Sequence, residues 1–241
     1  MNKETVKQQL QTLKMYTAAK EMDEVLNSTR RSVHFDWISK VLEHEIDAKK
    51  ERALHYRIKR AQFPRVTSLE KFDWNFNSDI DEAKIAELAA LEFVHKNEIV
   101  LFLGKPGTGK THLALAIGLK VVEQGQSVYC TSVKRLAFDL MAAKAKNSLD
   151  RLFRRILSAK LWILDDWGVV AMRPEVAEEV FDLLDRRIGS NALILTSNRD
   201  VDEWPQVFPE PVIASAAIDR LFDNAHIVPF TGKSYRLNKR I

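Results

Sequence analysis

Apolar side chains at the start of the chain keep a helical period. Val6, Leu10, Leu13, Met22 and Leu26 recur mostly every three or four residues over positions 3 to 26, and Phe35, Ile38, Leu42 and Ile46 repeat the pattern after a polar break. Two amphipathic helices are predicted, the second continuing through KKERALHYRIKRAQFP until Pro64 ends it. Ser78, with Asp81 three residues on, resembles a capping box and opens a predicted helix to about His95. Beyond it the period changes. Five short apolar runs, EIVLFL, SVYCTS, LWILDD, ALILTSN and AHIVPF, alternate with helical segments. That alternation predicts an α/β fold with a parallel five-stranded sheet flanked by helices. The expected organisation is a small all-helical N-terminal domain over residues 1–65, an aromatic-rich linker over 66–77 and an α/β domain over 78–241. Only 11 residues follow Phe230, so a full C-terminal helical lid is not expected. Internal repeats and low-complexity tracts are absent from the sequence, which argues against a solenoid or a disordered tail.

Composition adds location and charge. No run of eighteen apolar residues occurs and the N-terminus lacks a signal-peptide core, so a soluble, cytoplasmic protein without membrane contact is expected. The only cysteine, Cys130, falls in an apolar strand and reads as a small core residue. Net charge is +4, unevenly divided: residues 1–65 hold 14 Lys and Arg against 9 Asp and Glu, the rest 23 against 24. Excess positive charge at one end suits a polyanion such as DNA, although a solvated basic helix has the same composition.

The most specific motif is GKPGTGKT, from Gly104 to Thr111, directly after one predicted strand and directly before a helix. This is the context a phosphate-binding loop requires. Its glycines let backbone amides turn toward phosphate, and the helix that begins near Lys110 adds positive potential. Gly104, Lys105, Pro106, Gly107, Thr108, Gly109, Lys110, Thr111 and His112 are the expected contacts to ATP. Lys110 would reach the β- and γ-phosphates and Thr111 would ligate magnesium. LWILDD ends a buried strand in two carboxylates, an expensive arrangement unless a cation offsets it. Asp165 is expected to hold magnesium with Thr111, and Asp166 to polarise the attacking water. In ALILTSN the apolar run stops at Thr196, Ser197 and Asn198; if this strand lies between the other two, Asn198 points at the γ-phosphate. Both strand ends also read as ordinary strand-to-loop transitions. Arg220, near the end of a predicted helix, could complete a neighbouring subunit's site or pair with Asp219 or Asp223.

Taken in order, the phosphate loop with THLALAIG, LWILDDWG, LILTSN, AIDRLFDNAHIV and GKSYRL resemble the IstB-like ATPases that accompany insertion-sequence transposases. The likeness runs over nearly the whole chain and includes KRAQFPRVTSLEKFDW. It implies an AAA+ ATPase that forms homo-oligomers on double-stranded DNA, deforms it and directs a partner transposase to it. Within it, Lys110, Asp165, Asp166, Asn198 and Arg220, the last as an arginine finger, form the catalytic set. Two departures are evident. Asp166 stands where most AAA+ proteins have Glu, which suggests slow, DNA-stimulated hydrolysis, and with no lid Arg236 could supply the arginine a lid usually gives the nucleotide. Two sets of basic residues compete for DNA: Lys49, Lys50, Arg52, Arg57, Lys59 and Arg60, or Lys134, Arg135, Lys144 and Lys146 with Arg151, Arg154 and Arg155. Alternative readings are a helicase loader of the DnaC kind and a structural DNA-binding protein that uses ATP only to assemble.

Overall fold

The computed structural model describes residues 2–28, 35–77 and 79–238, so the capping role read for Ser78 lies outside the described residues. The chain divides into two compact units, residues 1–56 and 57–241.

In the first unit, the helix expected over residues 3 to 26 is two helices, α1 (Lys3–Thr12) and α2 (Tyr16–Ser28). The reason is local. Lys14 takes a left-handed φ of 63°, its N–H donates to Gln11 O, and Met15 N–H donates back to Leu10 O. These are the two bonds of a Schellman stop, formed here without the usual glycine. Val6, Leu10 and Ala19 then form a small core against Met22, Phe35, Ile38 and Leu42. The basic stretch belongs to α3 (Asp36–Ala61), in agreement with the predicted second helix.

In the second unit, the helix expected to run to His95 is also broken. Asp81 caps α4 (Glu82–Ala89) by accepting from Lys84 N–H, and left-handed Leu91 separates α4 from α5 (Glu92–His95). Five strands follow: β1 (Ile99–Gly104), β2 (Val128–Ser132), β3 (Leu161–Trp167), β4 (Ala192–Ser197) and β5 (Ala225–Phe230). All pair in parallel, in the order β2-β3-β4-β1-β5. The central β1 and β4 are almost entirely buried, as a sheet covered on both faces requires.

One face carries Leu101, Trp162, Leu164, Leu193 and Leu195, packed with residues of α7 (Val133–Ala145), α8 (Leu149–Leu157), α9 (Pro174–Arg187) and α10 (Pro211–Phe222). The other meets α6 (Lys110–Glu123), where Gly118 sits so close to β3 that a Cβ would lie 2.6 Å from Ile163 Cδ1. Fully buried Arg187 donates to the carbonyls of Ile156, Leu157, Ala159 and Ala192, tying the ends of α8 and α9 to the start of β4. Among the described residues no helix is long and apolar enough to cross a membrane.

Strand order matters for the chemistry. Because β4 lies between β1 and β3, the ends of all three strands share one edge, and the condition attached to Asn198 in the sequence is met.

Candidate nucleotide site

At that edge a cavity of about 530 Å³ opens over the phosphate loop. The loop leaves β1 at Gly104, whose φ of 141° is open to glycine and where a Cβ would lie 2.1 Å from Phe230 O. It enters α6 at Gly109, φ 111°, where a Cβ would strike the Phe72 ring. The first turn of an α-helix has backbone amides without intrahelical partners and the positive end of the dipole, so the start of α6 suits phosphate.

Lys110 is buried, and its Nζ donates to Gly104 O at 2.6 Å and Lys105 O at 2.7 Å. Burial pulls its pKa down to about 8, against the opposing pull of Asp165 and Asp166. Phosphate oxygens would offer this ammonium stronger, charge-assisted bonds than the two carbonyls do. Thr111 Oγ1 donates to Asp165 Oδ1 at 2.8 Å, and Thr196 Oγ1 donates to the same oxygen at 2.5 Å.

Asp165 and Asp166 occupy a β-bulge. Leu164 pairs with Leu195 and Trp167 with Ser197, so two residues of β3 oppose Thr196 alone. Asp166 has a left-handed φ of 61°. In a regular strand Trp167 would face α6; the extra residue returns it to the face of Trp162 and Leu164, where it packs against Trp204 and Phe208. The same kink leaves Asp166 at the cavity, where it accepts from Asn198 Nδ2 at 3.2 Å. Burial first, then the neighbouring Asp165, pushes its carboxyl pKa up, partly offset by the Asn198 bond.

Pro106, Gly107, Thr108, Gly109, Lys110, Thr111, His112, Asp165, Asp166 and Asn198 all line this one cavity. Gly104 meets it through Lys110, and Lys105 adjoins it in the loop. Arg236, in the short helix α11 (Tyr235–Asn238), also lines it. Arg220 does not join its own chain's cavity: it pairs with Asp185 of α9, rather than Asp219 or Asp223, and its guanidinium lies 5.2 Å from the Phe181 ring centroid.

Sequence reasoning assigned no site role to residues 66–77, yet Phe72, Phe76 and Asn77 line the cavity. Phe72 meets His112 edge-on, and the His112 ring bonds Thr67 Oγ1 and Ser68 O, burial lowering its pKa. Buried Asn77 donates to Thr108 O and Lys233 O and accepts from Lys233 N–H, so one amide joins the phosphate loop to the segment after β5. Aromatics crowded into a nominal linker were the available signal. The basic residues are spread over α3, α7 and α8, and several already have partners: Lys49 with Leu13 O, Lys50 with Asp47, Arg52 with Glu45, Arg57 with Val122 O. Arg135 pairs with Asp139, Lys144 with Glu179, Arg154 donates to Asp150 O and Arg155 lies over Tyr129.

A magnesium ion fits this donor set. Among the described residues no cluster of three or more His, Cys, Asp or Glu gathers for an ion. Magnesium instead takes one or two protein oxygens and completes its shell with phosphate and water, and Thr111 beside Asp165 offers that pair.

The chain also has relatives among known proteins. The profile of the IstB-like ATP binding protein family matches residues 5–241. The insertion sequence IS21 ATP-binding protein of Pseudomonas aeruginosa is 36% identical over 233 residues, covering 96% of this chain and 88% of that protein. The insertion sequence IS232 ATP-binding protein of Bacillus thuringiensis subsp. berliner is 32% identical over 95% of this chain and 92% of its own. Among solved structures, DnaI aligns with a TM-score of 0.59 at 22% identity over 68% of this chain and 91% of its own, and AMPPCP-bound DnaA from Aquifex aeolicus with 0.58 at 20% over 70% and 50%. These likenesses give the AAA+ fold. With the phosphate loop, the acidic strand end and a family match from residue 5 onward in agreement, the chain belongs to the IstB-like ATP-binding proteins of insertion sequences.

Proposed function

We propose that this protein is an ATP-hydrolysing regulator of DNA transposition, which assembles on double-stranded DNA in its ATP state, deforms it and directs a partner transposase to it. The observation that carries the reading is the convergence of Lys110, Thr111, Asp165, Asp166 and Asn198 on one cavity. They do so in a chain whose relatives, over nearly its full length, are insertion-sequence ATP-binding proteins.

The chain's own residues divide the work. Lys110 exchanges its two carbonyl partners for phosphate oxygens and neutralises charge that grows on them. Thr111 and Asp165 would hold magnesium, which when bound neutralises phosphate charge. Asp166, its pKa raised by burial, accepts a proton from the attacking water, and Asn198 holds that carboxylate in position. Arg236 adds positive charge from within the same chain. Arg220 lies outside the cavity and acts as the arginine finger of a neighbouring subunit, which makes hydrolysis depend on assembly. DNA is gripped through phosphates by the basic residues of α3 or by those of α7 and α8, so binding tolerates sequence and weakens steeply with salt.

Sedimentation of the protein with duplex DNA, without nucleotide, with ATP and with a non-hydrolysable analogue, tests the reading. Large complexes that need both nucleotide and DNA and vanish in Lys110→Ala are expected. A protein that stays monomeric on DNA in every nucleotide state contradicts it.

A further inference from the structure

We propose that Thr196 is the positioning residue that couples the two carboxylates, holding Asp165 with its hydroxyl proton and the Asp166 backbone with its hydroxyl oxygen. The inference rests on the hydrolytic reading of Asp165 and Asp166 and adds a residue to it.

Thr196 is 1% exposed and lies directly across from the bulge in β3. A bulge leaves its extra residue without a ladder partner, so the backbone N–H of that residue must find an acceptor elsewhere. Here the Asp166 N–H donates to Thr196 Oγ1 at 3.1 Å, so the threonine side chain takes the place of the missing strand carbonyl. An N–H can only donate, so the hydroxyl must accept from it; its own proton is then directed to Asp165 Oδ1, 2.5 Å away. One hydroxyl has one donor and two lone pairs, and both contacts use it within that capacity. A single atom therefore fixes the carboxylate expected to hold the metal and the left-handed backbone that aims Asp166 at the cavity.

Thr111 supports this arrangement from α6 by donating to the same Asp165 oxygen, which leaves its lone pairs available to an ion. Two hydroxyls, one from α6 and one from β4, converge on Asp165 Oδ1. Loss of such a supporting donor commonly weakens metal affinity or activity by about 10- to 100-fold.

The test compares Thr196→Val, which keeps the branched shape and drops the hydroxyl, with Thr196→Ser, which keeps the hydroxyl. Thr196→Ala is a second hydroxyl-free variant, and thermal melting confirms that each one folds. Two readouts are taken: ATP turnover, and the binding of a fluorescent ATP analogue across a magnesium titration and in EDTA. Val and Ala are expected to lower kcat about 10-fold and to raise the magnesium concentration at half-saturation by a similar factor, while binding in EDTA stays as in the wild type. Ser is expected to recover both properties. Wild-type turnover and magnesium dependence in Val and Ala overturn the proposal, as does a Ser variant as impaired as Val, which would assign the effect to packing. Asp165→Ala separates the two levels of inference. If it loses turnover while Thr196→Val does not, only the role of Thr196 falls; if it turns over like the wild type, the hydrolytic reading falls and the role of Thr196 with it.

Discussion

The two edges of the sheet treat their charged groups differently. At the edge where the strands begin, Lys84 bonds Glu87 at 2.8 Å, His226 bonds Glu98 at 2.8 Å, and Lys84 Nζ lies 3.2 Å from the second nitrogen of His226. Every one of these groups has a polar partner, and Glu87 is held below the usual carboxylate range by the Lys84 hydrogen bond. At the edge where the strands end, Lys110 is buried against carbonyls with its pKa pulled down, Asp166 is pushed up, and its backbone is left-handed. The first edge is satisfied within the fold. The second gathers a buried cation, two carboxylates and a left-handed backbone at one cavity, the kind of perturbed arrangement that marks a functional site.

Substitutions at the two edges should therefore differ in kind. Lys110→Ala should weaken ATP binding by about 100-fold or more, the equivalent of one lost charge-assisted contact, with little change in melting temperature because a desolvated cation leaves the fold. Equilibrium titration with a fluorescent analogue, beside a thermal melt, checks both parts.

A change of pH should sharpen the contrast. With its pKa at about 8 in the free protein, Lys110 is charged below that value, and ATP affinity should be nearly flat there. Phosphate raises the lysine pKa, so above pH 8 binding must take up a proton and affinity should fall by up to about tenfold per unit. Calorimetry in buffers of different ionisation enthalpy would detect the uptake; affinity unchanged from pH 7 to 9.5 would contradict it.

Asp166→Glu should disappoint as a repair. Aspartate tolerates the left-handed region better than glutamate, so the longer side chain should cost about 1 kcal/mol of stability and bring no faster turnover. Denaturant melts and steady-state rates report on it. At the opposite edge Glu98→Gln should shift stability by less than about 1 kcal/mol, since its bond to His226 is partly exposed, and leave ATP binding untouched.

These contrasts follow what was legible in the sequence. The phosphate loop and the carboxylate pair are each contiguous in sequence and declare themselves through a strand and a turn of fixed composition, so Lys110, Thr111 and Asp165 stood out before the cavity they line was seen. The five strands were equally plain as apolar runs. The two helix breaks were not, because Lys14 and Leu91 take left-handed conformations that glycine usually marks. Nor was the bulge, since one extra residue within LWILDDW leaves the apolar pattern unchanged until Trp167 is seen on the wrong parity. Asn77 and Phe72 were invisible as cavity residues because their partners, Thr108, Lys233 and His112, lie far along the chain. The partner of Arg220 was sought among its sequence neighbours, yet Asp185 comes from the adjacent helix.

The most direct test of the strand-end account is single-turnover ATP hydrolysis on duplex DNA by the wild type and Asp166→Ala. A rate lower by about 100-fold or more in the variant, with ATP binding retained, is expected if the carboxylate at the bulge is the base. Equal rates would contradict the account, since hydrolysis would then proceed without the carboxylate at the bulge.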